Sequence, residues 1–182
     1  MRIIGGKHKG RRLIAPGNLP VRPTTDMAKE ALFNILRNHY DFEGLKVLDL
    51  FAGIGSISFE FASRDAAEVL SVELNPRCVN FLTQTARKLD LQNLFVIRAN
   101  AFSFIRRSRK KFDIIFADPP YDLQGIEDIP RLVFESGLLH NEGWLIIEHS
   151  KAIVFEGHPQ PDQHRNYGKV NFSIFSYKPA SQ

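Results

Sequence analysis

The stretch Val47-Leu48-Asp49-Leu50-Phe51-Ala52-Gly53-Ile54-Gly55-Ser56 constrains the fold of this chain more than any other. An apolar run of strand length enters a glycine-bearing turn, and a helical pattern follows to about Arg64. This is the first strand–helix unit of a doubly wound sheet, where glycines let a ligand approach the backbone N–H groups at a helix start. A dinucleotide fingerprint would place its third glycine at position 58, which is Ser58. Asp49 instead sets a carboxylate beside the turn, which suits a cationic ligand without a pyrophosphate.

The units that follow repeat the pattern. Glu68-Val69-Leu70-Ser71-Val72-Glu73 reads as the second strand, and Glu73 at its tip fits a grip on ribose hydroxyls. Pro76 opens a helix running to about Leu89, in which Cys78 has a structural role. Leu94-Phe95-Val96-Ile97-Arg98 is the third strand. Beyond it Asn100 either reads an adenine edge through its amide or caps the next helix, and Phe102 lines an adenine pocket. The run Arg106, Arg107, Arg109, Lys110 and Lys111 reads as a solvated face.

Phe112-Asp113-Ile114-Ile115-Phe116-Ala117 is a fourth strand, and Asp118-Pro119-Pro120-Tyr121 lies just past its carboxyl end. Ligands bind there in open α/β sheets. Two prolines stiffen the turn and remove two donors, leaving carbonyls to accept. Asp118 adds a carboxylate, and Tyr121 a flat ring. Acceptors beside a stacking platform suit a nucleobase bearing an exocyclic amine. A loop at Asp122–Gly125, a helix from Ile126 to about Gly137 and a strand at Gly143–His149 are expected next. Segments around Ala152–Phe155 and Val170–Tyr177 would close the sheet as a hairpin.

The 182 residues suit one domain with a sizeable core. The amino-terminal 22 residues hold Arg2, Lys7, Lys9, Arg11, Arg12 and Arg22 and no acidic residue. Arg2-Ile3-Ile4 and Arg12-Leu13-Ile14-Ala15 look like two short strands joined through Gly5–Gly10, a cationic hairpin able to contact phosphates. A solvated basic terminus is the alternative, and the absence of any acidic residue favours the nucleic-acid reading. Pro23-Thr24-Thr25-Asp26 starts a helix that runs to about Asn38, and Arg22 ahead of it would touch RNA or cofactor. A single cysteine excludes an internal disulfide, and the six histidines share no metal-ligand spacing, so no metal is expected. Without an apolar h-region or a spanning run, the sequence reads as cytoplasmic.

The strand–FAGIGS–helix unit, Glu73 and DPPY together resemble the class I S-adenosylmethionine-dependent methyltransferases. The resemblance narrows with Arg2-Ile3-Ile4-Gly5-Gly6, Gly10-Arg11-Arg12-Leu13, Arg22-Pro23-Thr24-Thr25-Asp26 and Lys29-Glu30-Ala31-Leu32-Phe33-Asn34. These look like the amino-terminal signature of the RsmD-type 16S ribosomal RNA guanine-N2 methyltransferases, and the similarity extends through Arg165-Asn166-Tyr167-Gly168. Ser56-Ile57-Ser58 departs from the smaller residues common there. The resemblance implies a Rossmann-like α/β fold: a seven-stranded, mostly parallel sheet with helices on both faces, plus the basic hairpin and helix. Residues 1–40 would be an RNA-contacting extension, and 41–182 the methyltransferase domain.

It implies S-adenosyl-L-methionine as cofactor and direct in-line methyl transfer to N2 of a flipped-out guanine in 16S RNA of the 30S subunit, by a monomer. The candidate catalytic residues are Asp118, Pro119, Pro120 and Tyr121. Candidate cofactor residues are Asp49, Phe51, Ala52, Gly53, Gly55, Glu73, Leu74, Asn100, Ala101, Phe102 and Asp118. Arg2, Lys7, Lys9, Arg11, Arg12 and Arg22 are the candidate RNA contacts. The alternative is a DNA adenine-N6 methyltransferase with the same DPPY chemistry, although 182 residues leave little room for its target-recognition domain.

Overall fold

In the computed structural model, which describes residues 1–17, 19, 24–155 and 159–178, a single seven-stranded sheet carries the chain. Its strands are β1 (Lys46–Asp49), β2 (Glu68–Glu73), β3 (Leu94–Arg98), β4 (Phe112–Ala117), β5 (Leu139–His149), β6 (Gln163–Tyr167) and β7 (Val170–Ser176). They lie in the order β3-β2-β1-β4-β5-β7-β6. The first five run parallel, and β7 is antiparallel to both of its neighbours. Strand order reverses between β1 and β4, which opens a crevice at their carboxyl ends.

Apolar residues on both faces explain the sheet's place between two helical layers. Val47, Ile114, Phe116 and Ile146 join one core cluster with Leu32 and Phe33, Phe59, and Leu82. Those four come from the helices α1 (Asp26–Arg37), α2 (Ser56–Ser63) and α3 (Pro76–Lys88). On the opposite face Leu48, Ile115 and Ile147 meet Ile105 and Val133. These belong to α4 (Ala101–Arg107) and α5 (Ile129–Glu135). Burying each such side chain contributes about 1.5–3 kcal/mol.

Helix starts follow the sequence. Thr25 caps α1 by accepting from Ala28 N at 3.3 Å, and Asn75 caps α3 ahead of Pro76. Asn100 caps α4, its side chain accepting from Ser103 N at 3.0 Å. The segment after DPPY splits into a 3-10 turn at Ile126–Asp128 and the short α5.

Two expectations need correction. Ala152–Phe155 is not a strand; the closing hairpin is β6 with β7. The polar, largely exposed Gln163–Tyr167 forms the sheet edge, so no apolar run marks it. Phe155 instead lays its ring edge-on to His149 and Phe175. The amino-terminal hairpin is also slighter than two strands. Arg2 and Arg12 make one antiparallel bridge, flanked by Ile3 N to Arg11 O and Leu13 N to Met1 O, each at 2.9 Å. Its tip, Gly6–His8, coils into a 3-10 turn against the carboxyl end of α2.

A buried ionic knot fixes that terminus. Glu60, fully buried on α2, holds Lys29 Nζ at 3.1 Å and Ile4 N at 2.8 Å, and also pairs with Arg64. Lys29, 1% exposed, reaches the Arg2 carbonyl as well. Residues 1–4 are thereby bound to both α1 and α2.

Candidate active site

The crevice at the switch point is a cleft of about 900 Å³. The turn after β1 forms one wall. Gly53 and Gly55 adopt φ of +54° and +82°, a region that penalises any side chain. At Gly55 a Cβ would also sit 2.3 Å from Leu82 Cδ2. Phe51, Ala52 and Gly53 line the cleft, while Gly55 packs behind it as the N-cap of α2. Ser56 follows in the wall, its buried hydroxyl without a hydrogen-bond partner among the described residues.

Glu73 braces this turn. Its Oε2 accepts from Gly53 N at 2.8 Å and its Oε1 from Asn75 N at 2.7 Å, which orients the carboxylate at the rim of the cleft. Exposed Leu74 continues the wall. Across from it stand Asn100, Ala101 and Phe102, whose ring meets Phe51 edge-on at 6.4 Å. A planar group could enter between these surfaces.

Asp49 lies on the floor, 2% exposed. Its Oδ2 accepts from the Ser58 hydroxyl at 2.6 Å, and Ser58 in turn accepts from Ser71 at 2.7 Å. Burial pushes the Asp49 carboxyl up to about 7 against these hydrogen bonds, with Glu73 adding to the rise. Asp118 is also raised well above the ordinary carboxylate range, by burial, Glu148 and Asp49 in that order.

The DPPY turn forms the other half. Asp118, Pro119, Pro120 and Tyr121 all line the cleft, and Tyr121 stands at its mouth, 57% exposed. The Pro120 carbonyl accepts from Leu123 N at 2.9 Å, whereas the Pro119 carbonyl takes no backbone N–H among the described residues. An acceptor pair, Asp118 and Pro119 O, is therefore available.

The sequence reading missed several wall residues. Thr24 and Met27 reach the cleft from the start of α1, and Tyr167, Gly168 and Lys169 from the β6–β7 turn. Glu148, 4% exposed, lies beside Asp118, and its Oε2 accepts from the Thr24 hydroxyl at 2.9 Å. Burial lifts Glu148 to about 7, Thr24 opposing the rise. Thr24 and the Tyr167-Gly168 dipeptide carried a signal through the resemblance, without a place in the site. Glu148 sits in an apolar strand with no motif around it.

Of the candidate RNA contacts, Arg2, Lys7, Lys9, Arg11 and Arg12 do not line the cleft. Arg2 pairs with Asp26 at 3.0 Å and Lys7 with Asp65 at 3.1 Å. Lys9, Arg11 and Arg12 are exposed, and Arg22 is outside the described residues. In the run from the last turn of α4 onward, Lys110 pairs with Glu68, and Arg106, Arg107, Arg109 and Lys111 are exposed.

Known proteins share this architecture and sequence. A solved structure from Escherichia coli superimposes with a TM-score of 0.85 at 30% identity, covering 98% of each chain. A protein from Thermus thermophilus gives 0.82 at 29% identity, covering 96% of this chain and 98% of that one. The ribosomal RNA small subunit methyltransferase D of Escherichia coli K12 is 34% identical over 148 residues, 81% of this chain and 74% of its own. Its counterpart from Buchnera aphidicola is 31% identical over 153 residues, 84% and 78% of the two chains. The family model described as Conserved hypothetical protein 95 matches residues 1–176. With a matching family model over nearly its whole length and these relatives beside it, the chain belongs to the family of ribosomal RNA small subunit methyltransferase D.

Proposed function

We propose that this protein places one methyl group on the exocyclic N2 of a specific guanine in 16S RNA of the small ribosomal subunit. The observation that carries the reading is the acceptor pair of Asp118 and the Pro119 carbonyl, set in the switch-point crevice opposite the braced glycine turn. S-Adenosylmethionine is the cofactor, and when bound it supplies an electrophilic methyl group on a sulfonium.

The wall residues fit that cofactor. The orphaned Ser56 hydroxyl at the start of α2 suits its carboxylate, and Asp49 its ammonium. Glu73 keeps lone pairs for the ribose hydroxyls. Asn100, Ala101 and Phe102 would enclose the adenine. Carboxylates on the floor of a chain with net charge +4 also draw a cation into the cleft.

The chain's own part in the reaction is to hold the amine. A guanine must leave its stack to enter, which costs a few kcal/mol, and Tyr121 at the mouth gives it a ring to stack on. The guanine amine's lone pair is delocalised into the base, so it is a weak nucleophile. Asp118 and Pro119 O accept hydrogen bonds from its two N–H groups and turn the pair away from the ring plane. Holding the reactants this way supplies much of the rate. The Asp118 carboxylate then takes the proton that N2 releases, a task its raised affinity for protons suits.

Residues 1–40 would act as an RNA-contacting extension on the methyltransferase domain, 41–182. Lys9, Arg11 and Arg12 are its exposed cations, joined by Arg2, Lys7 and Arg22. The protein would work as a cytoplasmic monomer on the 30S particle; no helix among the described residues is long and apolar enough to cross a membrane.

Methyl transfer to 30S subunits from unmodified cells, to naked 16S RNA and to duplex DNA, with the labelled nucleoside identified, tests the reading. N2-methylguanine in 16S RNA is expected, and N6-methyladenine in DNA would replace it with the alternative.

A further inference from the structure

The β4–β5 pairing brings an unassigned carboxylate beside the acceptor pair. Ala117 stands opposite Ile147 in this parallel ladder, so the next step along places Asp118 next to Glu148. Neighbouring strands lie about 4.8 Å apart. Strand alternation sends both side chains to the face of Phe116 and Ile146, the face that α1 covers. There Glu148 Oε2 is held by the Thr24 hydroxyl, and Oε1 has no hydrogen-bond partner among the described residues.

No cation pairs with Glu148 among the described residues. A buried carboxylate without a counter-ion opposes folding, so stability does not explain it. A ligand that donates does. Guanine presents N1–H directly beside its 2-amino group, two donors side by side. Adenine presents an N1 lone pair beside its amine, which the ionised Glu148 carboxylate, the form that prevails above about pH 7, repels.

We propose that Glu148 is the specificity residue for the target base: its carboxylate accepts the guanine N1–H while Asp118 and the Pro119 carbonyl hold N2. Thr24 is a positioning residue that turns Oε1 toward the base. This rests on the guanine-N2 reading above and names the group that enforces it. Selectivity follows from the chemistry, since a site built around a donor rejects analogues that lack it and leave its acceptor unmatched.

The test uses small subunits reconstituted with 16S RNA carrying either guanine or 2-aminopurine at the nucleotide that the wild type labels. 2-Aminopurine keeps the 2-amino group but has an unprotonated N1 and no O6. Wild type should favour guanine by roughly a hundredfold in kcat/KM. Glu148→Gln, whose amide can donate to an unprotonated N1, should narrow that ratio at least about tenfold. Its affinity for S-adenosylhomocysteine, measured by calorimetry, should stay within about twofold, which separates base reading from a general loss of the site. Equal use of the two bases by the wild type overturns the inference without recourse to a variant. So does an unchanged ratio in a Glu148→Gln protein that binds the cofactor product normally. A wild type that labels adenine, or that labels no N2 position in guanine, overturns the underlying reading instead.

Discussion

The Ser58 hydroxyl donates to Asp49 Oδ2 at 2.6 Å, tying the first turns of α2 to the last residue of β1. It stabilises the ionised carboxylate that burial opposes, and the balance leaves Asp49 near 7. Its folded value lies above the ordinary 3.8, so the folded state keeps a proton that the unfolded chain releases between about pH 4 and 7. Stability should therefore fall as pH rises through that window, and Asp49→Asn should flatten part of the slope in urea titrations. Glu148 contributes in the same direction.

Cofactor binding should run the other way. A cationic ligand needs Asp49 ionised, so S-adenosylmethionine affinity should climb as pH approaches about 7, by up to about tenfold per unit. Ser58→Ala removes a hydrogen bond to the charged form and should move the midpoint of that climb to higher pH. Calorimetry from pH 6 to 8 reads both effects. Glu148 and Asp118 share the cleft and are raised as well, so Glu148→Gln and Asp118→Asn controls assign the midpoint.

Glu73→Ala should weaken cofactor binding by about tenfold or more. It removes the two bonds that hold Gly53 and Asn75, and hydrogen bonds to a charged group contribute about 1.5–3 kcal/mol each. Fluorescence or calorimetric titration with S-adenosylhomocysteine measures it.

Glu60→Ala should cost about 3 kcal/mol in chemical denaturation, because it strands most of the buried Lys29 charge, leaving it the half-exposed Asp26 at 3.4 Å, and releases the Ile4 backbone. The loss should be smaller in a Glu60→Ala, Lys29→Met double variant, which removes the stranded charge as well.

Salt dependence should rank the basic residues. Lys9, Arg11 and Arg12 are exposed, whereas Arg2 and Lys7 already face Asp26 and Asp65. Removing one of the first group should lower the slope of log affinity against log salt by about 0.7–0.9 in RNA binding. Removing Lys7 should change it less.

Much of this was legible in the chain because it depends on local chemistry. Glycines at 53 and 55, caps at Thr25 and Asn100, and the apolar runs of β1 to β4 each announce their conformation. The cleft residues that lie next to such signals, from Asp49 to Tyr121, were legible with them. What was hidden depends on register. Glu148 acquires its meaning only because β5 pairs with β4 so that it falls beside Asp118. The fifth strand is expected from Gly143, yet β5 begins at Leu139 and carries an irregularity in its pairing with β4, with Glu142 at φ +65°. β6 was invisible because an edge strand built of Gln163-His164-Arg165-Asn166-Tyr167 buries little. Lys29 and Glu60 look like ordinary charged helix residues until the amino terminus closes over them.

The most direct test of the account is methyl transfer from S-adenosylmethionine to 30S subunits from unmodified cells, comparing wild type with Asp118→Ala. Cofactor binding by each protein is measured alongside. The account predicts N2-methylguanine in 16S RNA with the wild type, and a loss of at least a hundredfold in rate with a variant that still binds cofactor. A variant that binds cofactor and methylates N2 at the wild-type rate would contradict it, because the acceptor at the end of β4 would then play no part in the chemistry.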